Sequence, residues 1–500
     1  MSTALEQLHA LFDRLAALDH AATFLNWDQM VMMPERGVTR RADSLAEIAG
    51  IRHELLTDKR VIDLVGEAEA NAADAETLAS LREMRQLWER EACLPAELVK
   101  AQIRAGSNCE LGWRTQKPAN DWAGFLVNFK PVLELAREES RIRLEAGNGR
   151  FATPYESLLD LYCTGDSAAL LTEVFADLRA AIPGLMQRVM EQQGPRGKAL
   201  YSGPFAVATQ QELSHELMKS FGFDFNAGRL DVSAHPFSTG DGADQRITTR
   251  YIDDGITDAL LATAHETGHA SYEAHLPEKW AALPVGLARN MCIHESQSLL
   301  FEKQLFLSRA FFTHFSSEMT RFFPGQINGS VDELWQELVV VKPGYIRVDA
   351  DEVTYPMHVL LRYEIEEALI NGDMEAADIP DAWQEKMQSY LGLSVDGDHK
   401  NGCLQDIHWT DGGFGYFPSY TMGAVNAAQI FATIKNQFSD WQQQLSGGDT
   451  RFVREWLDHN IWQRASFLSS QDLMIEATGS ASSASFLLEH LEARYLNASY

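Results

Sequence analysis

Residues 265–269, His-Glu-Thr-Gly-His, constrain this chain more than any other segment. They follow the pattern H-E-x-x-H. In an α-helix, residues four apart lie one turn apart on the same face, so both imidazoles can reach a single metal ion. Glu266 then lies beside that ion, where a general base is needed to deprotonate a bound water. The motif therefore predicts a helix whose histidine face is turned toward a third ligand.

The residues around the motif favour this helix. Apolar residues recur at helical spacing before it: Ile256, Leu260, Leu261 and Ala264. Pro277 ends the run, because proline cannot continue a helix. We therefore predict a helix over about 256–275. Gly268 lies inside it, which is tolerable where another group must approach the backbone closely.

A catalytic zinc site needs a third protein ligand and one open position for water. Glu295 is our candidate, in a second predicted helix that runs from Leu287 to about Ala310. Two helices joined by a short connection tend to pack antiparallel, so Glu295 can face the histidine pair. The competing interpretation is that Glu295 is an ordinary solvated helix residue. The motif upstream favours the ligand.

Composition excludes some partners. The chain has 42 basic and 71 acidic residues and a formal net charge of −29, which argues against nucleic acid or an anionic membrane as a partner. Its five cysteines form no C-x-x-C pair, as expected for free thiols in a reducing compartment. We find neither an 18-residue apolar run nor the apolar core of a signal peptide. The expected location is the cytoplasm.

The periodicity predicts a mostly helical chain with little sheet. Helices are expected from about residue 5 and over 40–57, 74–90, 96–105, 121–146, 166–193 and 209–221, and helical patterns return after 330. The clearest strands are 229–233 and 244–251. The Gly- and Asp-rich stretch 238–243 between them suggests a hairpin, and hence a small antiparallel sheet. We find no internal repeat, and expect one catalytic unit over residues 1–500.

Two arginines could orient a charged group. Arg246 shares one face of its predicted strand with Asp244 and Thr248, and His235 is in phase with the residues of the preceding strand. Arg347 could present its guanidinium fork to a carboxylate. The alternatives are ion pairs, on the surface for Arg246 and with Asp349 or Asp351 for Arg347.

A glycine-rich segment, 402–420, carries further polar and aromatic residues. It contains Gln405, His408 and Tyr420. Such a segment suits a flap over a substrate, and a phenol can donate a hydrogen bond to the oxyanion of a tetrahedral intermediate. The alternative is a turn with packed aromatic side chains.

Taken together, these segments resemble the carboxypeptidase Taq family of zinc metallocarboxypeptidases, also called thermostable carboxypeptidase 1. Six motifs of that family occur in order: His235-Pro-Phe, Asp244-Gln-Arg-Ile-Thr, residues 265–269, His294-Glu-Ser-Gln, Ile346-Arg-Val-Asp-Ala-Asp and Gly402-Cys-Leu-Gln-Asp-Ile-His-Trp. The likeness spans nearly the whole chain. It implies a mainly α-helical, saddle- or boat-shaped fold with a long central groove. It also implies broad removal of single C-terminal residues, poor at proline, and a cytoplasmic homodimer.

The resemblance and the residues together give one hypothesis, with the active site built from about 235–420. His265, His269 and Glu295 hold Zn²⁺, with Co²⁺ able to substitute, and Glu266 activates the water. Tyr420 and His408 assist the oxyanion. The substrate, a peptide with a free C-terminus, is bound by four residues: His235, Arg246, Arg347 and Gln405.

Two rival interpretations remain, and a third is less favoured. An endopeptidase or oligopeptidase could use the same metal site, and only the two arginines argue against it. A non-catalytic peptide-binding scaffold would not need Glu266. An aminopeptidase is less favoured, because no acidic cluster is assigned to a substrate amine.

Overall fold

The computed structural model describes residues 3–193 and 200–497. Helix accounts for 69% of the structure, as the periodicity predicted. The α-helices of the described residues are, in chain order, α1 Ala4–Val31, α2 Val38–Thr57, α3 Lys59–Asn71, α4 Ala75–Ala92, α5 Ala96–Gln116, α6 Trp122–Ala146, α7 Pro154–Leu159, α8 Ala168–Gln193, α9 Val207–Ser220, α10 Thr257–Ala274, α11 Met291–Leu299, α12 Arg309–Phe322, α13 Val331–Leu338, α14 Tyr355–Asn371, α15 Ile379–Leu391, α16 Pro418–Gln437, α17 Trp441–Ser446, α18 Arg451–Asn460, α19 Ser470–Thr478 and α20 Ala484–Leu496.

The sheet has three strands rather than the expected pair: β1 Gly228–Val232, β2 Phe237–Asp241 and β3 Asp244–Thr249. The stretch read as a connection is itself β2, so the hairpin joins β2 to β3 through Gly242, which adopts a φ of 50°. β3 is the central strand, and β1 pairs with it in parallel. The predicted hairpin between the first and last strands, and a purely antiparallel sheet, are therefore wrong.

Helices α10, α11 and α16 approach one another closely through two glycines. A Cβ added to Gly268 of α10 would lie 2.5 Å from the backbone oxygen of Gln297. A Cβ added to Gly423 of α16 would lie 2.5 Å from the Cβ of Glu295. Any larger residue would push these backbones apart, so the two glycines set how near α11 lies to its neighbours.

Helix α11 is shorter than predicted. A turn precedes it, and Asn290 caps its N-terminus by accepting a hydrogen bond from the backbone N–H of Ile293. After Leu299 the chain continues as a π-helix over Leu300–Phe306, which ends before α12. π-Helical turns change the direction of the side chains that follow them and occur often at functional sites.

Apolar packing surrounds helices α11 and α16. Buried residues of α11 and α16 belong to two large hydrophobic clusters: Cys292 and Val425 to one, Ile293 and Ile430 to the other. Both helices therefore lie where the two cores meet. All five cysteines are free thiols, as expected. None of the helices in the described residues is both long and apolar enough to cross a membrane.

Candidate functional site

The predicted metal ligands come together. The two histidines of α10 and Glu295 of α11 form a cluster whose ligand atoms all lie within 4.8 Å of one another. Oε2 of Glu295 is 3.6 Å from Nε2 of His265 and 3.8 Å from Nε2 of His269. Glu295 is buried, and its carboxylate also accepts a hydrogen bond from Ser298. It is thus not a solvated helix residue.

This donor set fits a zinc ion. Two imidazole nitrogens and one carboxylate oxygen are ligands that zinc accepts, and three protein ligands leave a fourth position open. Ligands about 2.0–2.1 Å from a tetrahedral ion lie roughly 3.3–3.5 Å apart. The spacing of Glu295 from both histidines exceeds this by only a few tenths of an ångström.

A second layer of side chains orients the two histidines. Oε2 of Glu302, on the π-helix, lies 2.9 Å from Nδ1 of His265. Nδ1 of His294 lies 2.6 Å from Nδ1 of His269, and Nε2 of His294 lies 2.7 Å from Glu273. With each imidazole neutral, protons on the two Nδ1 atoms leave both Nε2 atoms free to bind a cation.

Glu266 has the surroundings of a general base. It is buried, yet among the described residues its carboxylate has no hydrogen-bond partner. Burial raises the pKa of Glu266 to about 7, and the nearby Glu295 and Glu302 act in the same direction. A bound cation would lower this pKa again. The carboxylate oxygens of Glu266 are thus available to a water molecule.

Arg347 is held in place by residues that the sequence did not indicate. Its Nε donates to Asp406 at 2.9 Å and its Nη1 to the hydroxyl of Tyr355 at 2.9 Å. Its Nη2 donates to none of the described residues. Asp351, one of the two expected partners, instead accepts hydrogen bonds from backbone N–H groups at the start of α14. The alternative interpretation, an ion pair with Asp349 or Asp351, is therefore wrong.

The cluster of Arg347, Arg362 and Asp406 carries a net positive charge. Arg362, fully buried, also pairs with Asp406, so two guanidinium groups share one carboxylate. Burial and these two arginines lower the pKa of His358 to about 3 and that of His408 to about 4, so neither adds a compensating charge at neutral pH. An anion beside Nη2 of Arg347 would balance the excess.

One cavity joins the metal ligands to this arginine. It has a volume of about 220 Å³, and its lining includes His265, Glu295, Arg347, Tyr355 and Tyr420. The guanidinium carbon of Arg347 lies 5.2 Å from the ring centre of Tyr420. The candidate cation site and a cationic side chain therefore face the same space.

His408 and Tyr420 lie together beside this cavity. Nε2 of His408 is 3.4 Å from the hydroxyl of Tyr420, and the ring of Tyr416 packs edge-on against Tyr420. The segment is thus a packed aromatic turn, and its residue Tyr420 lines the cavity with Glu295.

The other predicted substrate contacts lie elsewhere. Gln405 uses its side-chain amide on backbone groups: it accepts from the N–H of Arg347 and donates to three carbonyls. His235 follows β1, exposed, rather than lying on it. Arg246 forms two hydrogen bonds with Asp244 and stacks over Trp27 of α1 at 4.5 Å. None of these three side chains lines the cavity with Glu295.

Sequence reasoning missed several of these residues. Glu302 follows Glu295 by two helical turns, and Glu273 follows His269 by one, so helical spacing could have indicated both. Asp406 belongs to one of the family motifs, but no local signal indicates that it pairs with Arg347 and Arg362, because these pairs join separate parts of the chain.

The helical fold brings two histidines and a glutamate together, and the carboxylate of Glu266, which directly follows His265, has no hydrogen-bond partner among the described residues. This arrangement defines a metallopeptidase-type site. The family model described as Carboxypeptidase Taq (M32) metallopeptidase matches residues 7–495. The chain belongs to this family, as its motifs predicted.

Curated relatives and solved structures agree with this assignment. Over 478 residues the chain is 34% identical to thermostable carboxypeptidase 1 of Thermus thermophilus, with 94% of each chain covered. Metallocarboxypeptidase 1 of Trypanosoma cruzi aligns at 37% identity with a TM-score of 0.95, covering 99% of both chains. The M32 carboxypeptidase of Deinococcus radiodurans aligns at 31% identity with a TM-score of 0.94, again over 99% of both.

Proposed function

We propose that this chain removes single amino acids from peptides with a free C-terminus. The observation that carries the proposal is the shared cavity, in which a guanidinium with an unused Nη2 faces two of the three candidate metal ligands. Arg347 would bind the terminal carboxylate through charge-assisted hydrogen bonds. The last peptide bond would then lie beside Glu295.

We propose zinc as the native cation, held by His265, His269 and Glu295, with cobalt able to substitute. When bound, such an ion polarises a carbonyl group and lowers the pKa of water. The donor set supports zinc because zinc accepts nitrogen and oxygen ligands of this kind, and Glu295 lies 3.6 Å and 3.8 Å from the two histidine Nε2 atoms.

The protein's own side chains complete the reaction. Glu266 accepts a proton from the attacking water and later delivers it to the amine that leaves. The Tyr420 hydroxyl donates a hydrogen bond to the oxygen on which negative charge develops, and His408, neutral at pH 7, supports that hydroxyl. Gln405 acts indirectly, by holding the backbone of Arg347.

Further properties remain predictions from the family resemblance. We propose one catalytic unit, broad specificity with poor cleavage at proline, a homodimer and a cytoplasmic location. His235 and Arg246 stay candidate substrate contacts, but their surroundings favour structural roles. For Arg246 the pairing with Asp244 and the stacking on α1 support the ion-pair alternative.

An endopeptidase using the same metal site is the second candidate. The buried arginine pair around Asp406 disfavours it, because an internal peptide bond offers no carboxylate to balance the excess charge. The test is digestion of a mixed peptide set followed by mass spectrometry, with and without a chelator. We expect products shortened by one residue at a time from the C-terminus. Internal fragments would support the endopeptidase.

A further inference from the structure

The cavity extends beyond the arginine and the metal ligands into an apolar region. Five elements contribute carbon side chains to it: the end of α11, the segment after Arg347, and helices α14, α16 and α20. The apolar lining residues are Leu299, Val348, Ala350, Pro356, Ala424, Ala427 and Leu487. The catalytic roles proposed above use none of these side chains.

The position of this region limits what can fill it. If Arg347 holds the terminal carboxylate and the scissile bond lies at Glu295, the single residue between them is the substrate's C-terminal residue. Its backbone spans about one Cα–Cα step of 3.8 Å. The side chain of that residue must then enter the remaining part of the cavity, against the apolar walls.

The other charged residues that line the cavity, Glu302, Lys303 and Glu352, already have partners. Glu302 contacts Lys303 at 2.5 Å as well as His265. Glu352 accepts from Arg494 at 2.8 Å and lies 2.9 Å from His490. Because these carboxylates are paired, a charged substrate side chain would be buried without a partner of its own, which is costly.

The size of the cavity also suits an apolar side chain. Its volume is about 220 Å³. An engineered apolar cavity of roughly 150 Å³ is large enough to bind benzene. This volume includes the space beside Arg347 and Glu295, and the remainder suits a medium-sized side chain such as that of leucine, methionine or phenylalanine. Glycine or alanine would leave the apolar walls uncovered.

We infer that this region is the specificity pocket for the C-terminal side chain, and that it favours medium-sized apolar residues over charged residues and glycine. The inference rests on the proposed carboxypeptidase activity. Burial of one such side chain corresponds to a preference of about ten- to a hundredfold in kcat/KM over glycine. Specificity remains broad, because the pocket changes kcat/KM between substrates without excluding any of them.

The test uses N-blocked dipeptides that differ only in the C-terminal residue: Gly, Leu, Phe, Lys or Glu. The wild-type protein is expected to hydrolyse the Leu and Phe peptides fastest. Ala424→Leu fills the pocket and should reduce kcat/KM for Phe at least tenfold more than for Gly. Equal rates for all five peptides in the wild-type protein would overturn the inference while leaving the carboxypeptidase intact.

A second variant does not depend on core packing. Val348 lines the pocket and is 70% exposed, whereas Val127 of α6 is 71% exposed and lies outside the lining. Val348→Glu should raise the Lys-to-Leu ratio of kcat/KM about tenfold, and Val127→Glu should leave it unchanged. An unchanged ratio in Val348→Glu would contradict the pocket assignment. No hydrolysis of any free peptide would instead overturn the proposed function.

Discussion

Two neighbouring carboxylates have different surroundings, and these suit different tasks. Glu295 is held by Ser298 and faces both histidines. Glu266 has no hydrogen-bond partner among the described residues, and burial raises its pKa. The first arrangement suits a fixed ligand and the second a group that exchanges a proton.

Replacing Glu266 tests that division. Glu266→Gln keeps the shape of the side chain but cannot accept a proton. We expect metal content to be retained and kcat to fall by about 10²–10⁴-fold, the usual contribution of general acid–base catalysis. Elemental analysis and steady-state kinetics measure the two effects. A near-normal kcat would place the base elsewhere.

Glu302 should control how tightly the cation is held. Glu302→Gln removes the charge that fixes the Nδ1 proton of His265, so we expect metal affinity to fall about 10- to 100-fold. Competition with a chelator measures this directly. The matched control is Glu278→Gln, in an exposed turn, for which affinity should stay the same. Unchanged affinity in both variants would remove Glu302 from the site.

At the scale of elements, the spacing of α10 and α11 determines whether the three ligands meet. Gly268→Ala would place a methyl group 2.5 Å from a backbone oxygen of Gln297, so the helices must separate. We expect a loss of about 1–3 kcal/mol of stability together with weaker metal binding.

The control for this prediction is another helical glycine. Gly66 of α3 has no atom within 4 Å of an added Cβ, so Gly66→Ala should be neutral or stabilising by up to about 1 kcal/mol. Thermal melts and metal titrations of both variants separate helix propensity from close packing. If Gly268→Ala binds metal as well as the wild type, the spacing argument fails.

The elements that could be predicted from the sequence were those with a local signal. Helix α10 appears almost at its predicted bounds, since its apolar spacing and Pro277 are local features. Strand pairing is not local: β1 pairs directly with β3, although β2 lies between them along the chain. The same holds for Arg347: the nearby Asp349 and Asp351 were its alternative partners, and its actual partner is the distant Asp406. The π-helix after α11 also follows from packing rather than periodicity.

At the scale of the whole molecule, bound cation should stabilise the fold, because a ligand that binds only the native state shifts unfolding by mass action. We expect chelation to abolish activity, and Zn²⁺ or Co²⁺ to restore it and to raise Tm. His265→Ala should show no such rise in Tm, since two remaining ligands make a poor site. Full activity in metal-free protein would refute the metal requirement.

The central claim is that Arg347 recognises a free C-terminal carboxylate. The most direct test is the ratio of kcat/KM for a peptide with a free C-terminus to that for its amidated counterpart, in the wild type and in Arg347→Ala. A charge-assisted hydrogen bond contributes about 1.5–3 kcal/mol, so the ratio should fall roughly 10- to 150-fold with metal retained. In Arg246→Ala this ratio should fall equally only if Arg246 also binds the substrate carboxylate. A wild-type ratio near one, or a ratio that Arg347→Ala leaves unchanged, would contradict the account.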